Sequence, residues 1–125
     1  MSVELNHTIV HVSDKRRAAE EVAEILGVEK PTSYGPFQVL ALANGVSLDF
    51  ADDHGQPDHQ HYAFLVGEEE FDAIQQRIIE RGLTFWADPS HRREGEINTN
   101  DGGRGLYWNG PDDHNLEIIT VPYGG

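Results

Sequence analysis

The chain contains no cysteine, so no disulfide staples it and any metal must be taken by nitrogen and oxygen ligands. Basic residues are scarce: nine Lys and Arg stand against 22 Asp and Glu, a formal charge of −13. That excess repels phosphate backbones and anionic bilayer surfaces, which excludes nucleic acid and membranes as expected partners. Long apolar runs are missing as well. None approaches the ~18 residues of a membrane span, and Met1-Ser-Val-Glu-Leu-Asn6 lacks the basic start and apolar stretch of a secretory leader. The expected location is cytoplasmic. At 125 residues the chain is long enough to bury one core unaided, and 1–125 is read as a single globular domain.

What is present centres on Gly105 to Val121. This stretch reads as a strand, a tight Gly110-Pro111-Asp112 turn and a second strand carrying a lone carboxylate, Glu117, among Leu116, Ile118 and Ile119. Alternation puts Glu117, Ile119 and Val121 on one face and Leu116, Ile118 and Thr120 on the other. A buried carboxylate needs a hydrogen-bonded partner or a metal, whereas one on an edge strand needs only water. The rest of the sequence bears on that choice.

His7 to Ser13 alternates as a strand, with Thr8, Val10 and Val12 on one face and His7, Ile9 and His11 on the other. A helix follows: Ser13 or Asp14 can cap it, Ala18, Val22, Ile25 and Leu26 recur at helical spacing, and Gly27 is a suitable stop. Pro31 to Gly35 reads as a loop, Phe37 to Ala43 as a strand, Asn44-Gly45 as a hairpin turn and Val46 to Ala51 as the returning strand. After the polar linker, about 53–60, the pattern starts again. His61 to Gly67 is a strand, and Glu68-Glu69-Glu70 give the next helix an acidic first turn. Phe71, Ile74 and Ile78 form that helix's apolar face, and Gly82 ends it. Leu83 to Ala87 is a short strand, 88–104 a long polar loop without readable structure, and Leu106 to Val121 the closing hairpin.

Laid over one another, the halves match His7 with His61 and Leu48-Asp49-Phe50 with Leu116-Glu117-Ile118. The offset, roughly 54 to 68 residues, is too long for a solenoid, so the chain is read as two pseudo-symmetric β-α-β-β-β modules, about 1–52 and about 61–125. Each supplies a histidine from its first strand and an acid from its last. Two such half-sites brought face to face would converge.

At these residues a family resemblance emerges. Gly105-Leu-Tyr-Trp-Asn-Gly-Pro-Asp-Asp-His-Asn-Leu-Glu117 is similar to the closing pattern of the vicinal oxygen chelate superfamily. That group holds glyoxalase I, fosfomycin-resistance enzymes, bleomycin-binding proteins and extradiol dioxygenases. Its pattern is an aromatic strand, an Asp-Pro-Asp-Gly-His-like turn and a ligand glutamate. Gly110 replaces the first Asp and Asp113 the Gly, changes expected to alter the turn more than the site. The resemblance covers essentially the whole chain and implies an α+β, glyoxalase-like fold. In it two βαβββ modules form a curved mixed sheet around a metal held by His7, His61 and Glu117. Ala51-Asp52, His59 to Phe64 and Glu94 to Asn98 further resemble the subgroup containing an oxygenase of chartreusin biosynthesis.

Taken by themselves, two histidines and one carboxylate suit a facial triad with three positions left open on an octahedral ion. Such a set favours Fe(II), and Mn(II), Ni(II), Co(II) and Zn(II) accept the same ligands. Asp49 occupies the place equivalent to Glu117, where glyoxalase I-like proteins put a fourth ligand. One methylene shorter, it suits a general base toward a phenol, or a carboxylate hydrogen-bonded within the sheet. Tyr107 stands where family members carry a pocket tyrosine, and ordinary aromatic packing is its alternative. Trp86 and Tyr62 are candidate apolar walls. His91-Arg92-Arg93 and Arg104 are candidate cations for an anionic or phenolate-bearing ligand, unless they merely solvate their loop. His11 lies about four residues beyond His7, some ~13 Å at strand rise, too far to share its metal. His54 and His59 are assigned to solvent and His114 to the turn. Lys15-Arg16-Arg17 opens a helix where positive charge is unfavourable, explained by a subunit contact or by an exposed, tolerated cluster.

The leading expectation is a non-haem Fe(II) dioxygenase that cleaves or rearranges a phenolic or polyketide-derived aromatic substrate with O2. The alternatives are a redox-neutral glyoxalase or fosfomycin-resistance type of metalloenzyme, and a non-enzymatic, antibiotic-sequestering protein of the bleomycin-resistance type. Fosfomycin enzymes typically carry a threonine where Ile9 stands, and Asp49 in place of a fourth glutamate counts against glyoxalase I. The expected assembly is a homodimer, its modules paired within each chain or exchanged between chains through the linker, with His7 a candidate to cross.

Overall fold

Two parallel strand pairs, each closed by a helix and extended by a hairpin, make up the chain. The computed structural model describes residues 2–123 and divides between Asp58 and His59 into two compact units. In the first, β1 (His7–Val12), α1 (Lys15–Leu26), β2 (Thr32–Tyr34), β3 (Phe37–Ala41) and β4 (Ser47–Asp52) form a sheet of order β1-β4-β3-β2. In the second, β5 (His61–Leu65), α2 (Glu68–Glu80), β6 (Phe85–Trp86), β7 (Gly105–Asn109) and β8 (Asn115–Ile119) form a sheet of order β5-β8-β7-β6. β1 runs parallel to β4 and β5 to β8, and the remaining neighbours are antiparallel. This is the α+β, twice-repeated βαβββ architecture expected from the sequence.

The ladders fix the repeat residue by residue. His7 pairs with Ser47 and Ile9 with Asp49, while His61 pairs with Asn115 and Ala63 with Glu117. Asp49 and Glu117 are therefore structural counterparts, each two residues beyond the partner of its module's histidine. Alternation decides what is buried. In the first unit Val10, Val12, Leu40, Leu48 and Phe50 are buried, together with Ala18, Ala19, Val22, Ala23, Ile25 and Leu26 of α1. In the second, Phe64, Leu106, Trp108, Leu116 and Ile118 are buried with Phe71, Ile74 and Ile78 of α2.

Both helices begin and end by the means the sequence offers. Asp14 caps α1, its carboxylate accepting the Arg17 N–H at 3.2 Å, and Gly27 closes it at φ 73°. Of the basic opening of α1, Lys15 is met within its own unit, while Arg16 and Arg17 are exposed. Asp52 accepts the Lys15 N–H at 2.9 Å, and the Lys15 ammonium donates to the Pro36 carbonyl at 2.7 Å. Glu70 reaches back to accept the Gly67 N–H at 3.0 Å ahead of α2.

Three stretches differ from expectation. Residues 32–34, read as loop, form the edge strand β2, whose three side chains are all exposed. With no buried face it has no hydrophobic period to detect. β6 is confined to Phe85–Trp86 instead of Leu83 to Ala87. Loop 88–104 is ordered by polar contacts rather than by an apolar face. The Asp88 carboxylate accepts the Arg92 and Arg93 N–H groups, and the buried Asn98 donates to the Ala87 carbonyl at 2.8 Å and exchanges main-chain hydrogen bonds with Gly105. In the β7–β8 turn Asp112 and Asp113 take φ 54° and 60°, a conformation that Asp tolerates better than most residues. A Cβ at Gly110 would meet the Leu116 side chain at 2.5 Å, which would have to shift. Among the described residues, no helix is long and apolar enough to cross a membrane.

The helix face can be tested at two adjacent positions. Ile78 is fully buried and Ile79 is 49% exposed. In urea unfolding, Ile78→Ala should lose ~2–5 kcal/mol and Ile79→Ala no more than about 0.5 kcal/mol. Similar losses at both positions would contradict this packing.

Candidate functional site

β8 lies between β5 and β7, so its outward alternation is flanked on both sides. Register sets Trp86, Tyr107, Glu117 and Ala63 in one row across the sheet. His61, two residues before Ala63, shares that face. Leu116 and Ile118 point the other way into the α2 core, which makes β8 buried on both faces. Glu117 is thus 1% exposed without being part of the apolar core. The edge-strand alternative for this carboxylate is excluded.

The contacts of Glu117 define the site. His61 Nε2 lies 3.0 Å from Oε1, and the Tyr123 hydroxyl lies 2.9 and 2.8 Å from the two carboxylate oxygens. His61 Nδ1 lies 2.8 Å from the Asn115 carbonyl. A carbonyl only accepts, so Nδ1 carries a hydrogen. The neutral ring then presents the Nε2 lone pair to a carboxylate oxygen, an arrangement of two acceptors that requires a proton or a cation between them. Metal-ligating histidines are oriented in this way, one nitrogen donating to a carbonyl while the other faces the ion. One oriented imidazole and one desolvated carboxylate suit a divalent cation of borderline hardness. Among the described residues, no group of three or more His, Asp or Glu is close enough to hold a metal by itself.

The phenols around Glu117 are held protonated. Burial raises the pKa of Tyr107 well above the ordinary tyrosine range, with hydrogen bonds and charge from Tyr123 and Glu117 adding to the effect. For Tyr123 the hydrogen bond with Tyr107 pulls downward, but burial and the Glu117 carboxylate outweigh it and the net shift is upward. Tyr107 also stacks beside the His61 ring, centroids 5.9 Å apart at 25°. Neutral phenols next to a carboxylate serve as hydrogen-bond donors.

The remaining sequence candidates fall in several places. His7 and Asp49 belong to the first unit, where His7 Nδ1 is 2.8 Å from the Asn6 amide oxygen and Asp49 accepts the Ser47 hydroxyl at 2.9 Å. Trp86 lies on the Glu117 face and stacks on His91. Tyr62 lies on the opposite face of β5 from His61, its ring set edge-on to His114. Its place is with the turn, not with the carboxylate. Arg93 pairs with Glu96 at 3.2 Å. Arg104 has its guanidinium in contact with Glu68 and Asp72, both at 2.8 Å, and over the Phe71 ring, so its donor fork is engaged within the fold. His114, 1% exposed, accepts the Gln60 N–H at 3.0 Å and fastens the turn to the start of β5. His11, His54 and His59 are exposed. Sequence reasoning missed Tyr123, which follows the last strand in a segment without period or motif. It also missed Asn115, whose only sequence signal is its place opposite His61 in the repeat.

The chain is similar along its length to solved proteins. Oxidase ChaP-H1 is 61% identical, with 99% of this chain and 100% of that one covered and a TM-score of 0.97. Oxidase ChaP-H2 is 58% identical, with 100% and 98% covered and a TM-score of 0.96. Glutathione transferase FosA of Serratia marcescens is 30% identical, across 91% of this chain and 78% of that protein. No family model matches the chain.

The raised Tyr107 pKa has a consequence at high pH. An unfolded tyrosine loses its proton near pH 10, whereas folded Tyr107 keeps it. The folded state then binds more protons, so stability is complete below that pH and is lost as pH rises above it. In metal-free protein, Tyr107→Phe should make the decline in unfolding free energy above pH 10 shallower by up to ~1.4 kcal/mol per pH unit. An unchanged slope would mean that Tyr107 titrates normally.

Proposed function

Because the chain belongs to the vicinal oxygen chelate superfamily, in the branch that holds the ChaP-type oxidases, we propose that it is a metal-dependent oxygenase acting on a phenolic or polycyclic aromatic substrate. The observation that carries the reading is the buried Glu117 carboxylate faced by the oriented His61 Nε2. Oxygen chemistry is preferred to redox-neutral transfer because proteins named oxidases share 58–61% identity with the chain, against 30% for a glutathione transferase.

The proposed ligand set is His7, His61 and Glu117, and the assembly is a homodimer. Fe(II) held there would supply Lewis acidity that lowers the pKa of a phenolic substrate, and electrons for oxygen. The residues do the rest. Glu117, out of contact with water, neutralises charge at the centre, and the Asn115 carbonyl keeps His61 in the tautomer that leaves Nε2 free. Asp49, the repeat counterpart of Glu117, is assigned as the general base that accepts the substrate's hydroxyl proton at its carboxylate. The Ser47 hydroxyl orients that carboxylate. Tyr107, held neutral, donates a hydrogen bond to a substrate oxygen. Trp86, in the same row across the sheet, offers an apolar wall to an aromatic ring.

Protein purified without oxygen should bind one Fe(II) per chain and, with catechols or polycyclic phenols, consume O2 in proportion to substrate. His61→Ala and Glu117→Ala should each lower metal affinity at least ~10-fold and abolish turnover. Asp49→Asn should retain metal and lower kcat by ~10²–10⁴. Oxygen-independent turnover with Zn(II) or Mn(II) would favour the redox-neutral reading. Ligand binding by metal-free protein that His61→Ala leaves unchanged would favour sequestration.

A further inference from the structure

One residue of loop 88–104 is held in an unfavourable conformation beside the candidate centre. His91 stands at φ 57°, in the left-handed region that few residues with a Cβ occupy. Three contacts keep it there. Its N–H donates to the Asp88 carbonyl at 3.2 Å, in a turn closed by the Asp88 carboxylate, which accepts from Arg92 and Arg93 at 2.9 and 2.8 Å. Its ring lies flat on the Trp86 indole, centroids 3.8 Å apart and planes 2° from parallel. Its Nε2 lies 3.0 Å from the Asn115 side-chain oxygen. A carboxamide oxygen only accepts, so Nε2 donates, and the Asn115 amide nitrogen is turned toward the Pro89 carbonyl at 3.4 Å.

Asn115 is the residue whose main-chain carbonyl receives the His61 Nδ1–H at 2.8 Å. It therefore links two imidazoles, His91 through its side chain and His61 through its backbone. It is also the first residue of β8, paired with His61 on one side and Asn109 on the other. The first module has no such anchor among these contacts. Ser47, the counterpart of Asn115, donates its hydroxyl to Asp49 two residues along its own strand, and His7 Nδ1 meets the Asn6 side chain instead of a strand carbonyl.

We infer that His91 is a positioning residue for His61: by fixing Asn115 it holds the carbonyl that sets the His61 tautomer and aims Nε2 at Glu117. The role rests on the reading of His61 as a metal ligand for its purpose, but the geometry can be tested without metal. It also gives loop 88–104 a task, since the strain at His91 is offset by fastening the loop to the site at one hydrogen bond.

Two variants separate the ring from its donor. His91→Phe keeps a ring to lie on Trp86 and removes the hydrogen bond, whereas His91→Gln keeps a donor and removes the ring. Nitrogen NMR of the His61 imidazole in metal-free protein should show Nδ1 carrying a slowly exchanging hydrogen in the wild type and in His91→Gln. In His91→Phe that hydrogen should exchange faster and the Nδ1 signal should shift. Co(II) affinity should fall ~10-fold in His91→Phe and stay within about threefold in His91→Gln, with circular dichroism unchanged in both. If His91→Phe does not fold, His91→Asn, which tolerates the left-handed backbone but is too short to reach Asn115, takes its place in both measurements. An unaltered His61 signature in the donorless variant, or equal changes in the Gln and Phe variants, would overturn the inference. A wild type that binds no Co(II) would instead remove the metal reading and leave the NMR comparison to decide the role of His91.

Discussion

A carboxylate out of contact with water must face positive charge or hydrogen-bond donors. Isolated, such a group costs several kcal/mol and would lose its charge instead. Glu117 is kept dry by the side chains gathered over it: His61 and Tyr123 on its oxygens, with Tyr107 as its cross-strand partner on β7. It is met by two phenolic contacts from Tyr123 and by His61 Nε2. Since the Asn115 carbonyl takes the His61 Nδ1 hydrogen, the neutral ring has only a lone pair to offer. The pair is complete only with a further positive charge.

That arrangement follows from short-range features acting together. Alternation along β8 separates Glu117 from Leu116 and Ile118, and the parallel pairing with β5 puts His61 diagonally opposite it. The left-handed Asp112 and Asp113 turn β7 back onto β8 so that Tyr107 and Glu117 are direct partners. A one-residue slip in either ladder would carry these side chains to the α2 face. The core residues that fix the register therefore also position the chemistry.

Much of this was legible in the sequence because it is carried by period, caps and turn residues. Asp14, Gly27 and Asn44-Gly45 mark boundaries, and the β1 and β8 alternations identify the faces. The match of Asp49 with Glu117 emerges as a ladder equivalence. What stayed hidden depends on contacts distant in sequence or on segments without period. β2 is fully exposed and so has no apolar rhythm. Arg104 looks available to a ligand because Asp72 and Glu68 lie 32 and 36 positions away. Tyr62 follows His61 directly, yet adjacency in a strand means opposite faces. Tyr123 reaches the site through a segment without period, and His91, legible only as one of the loop's cations beside Arg92 and Arg93, does so through a left-handed turn that spacing does not specify.

Whether the His61 and Glu117 pair receives a divalent cation can be read from anomalous diffraction by crystals grown with Co(II) and collected across its absorption edge. A peak is expected at about 2.0–2.2 Å from both His61 Nε2 and a Glu117 carboxylate oxygen. Full metal occupancy elsewhere, with no anomalous peak within bonding reach of His61 Nε2 and Glu117, would contradict it.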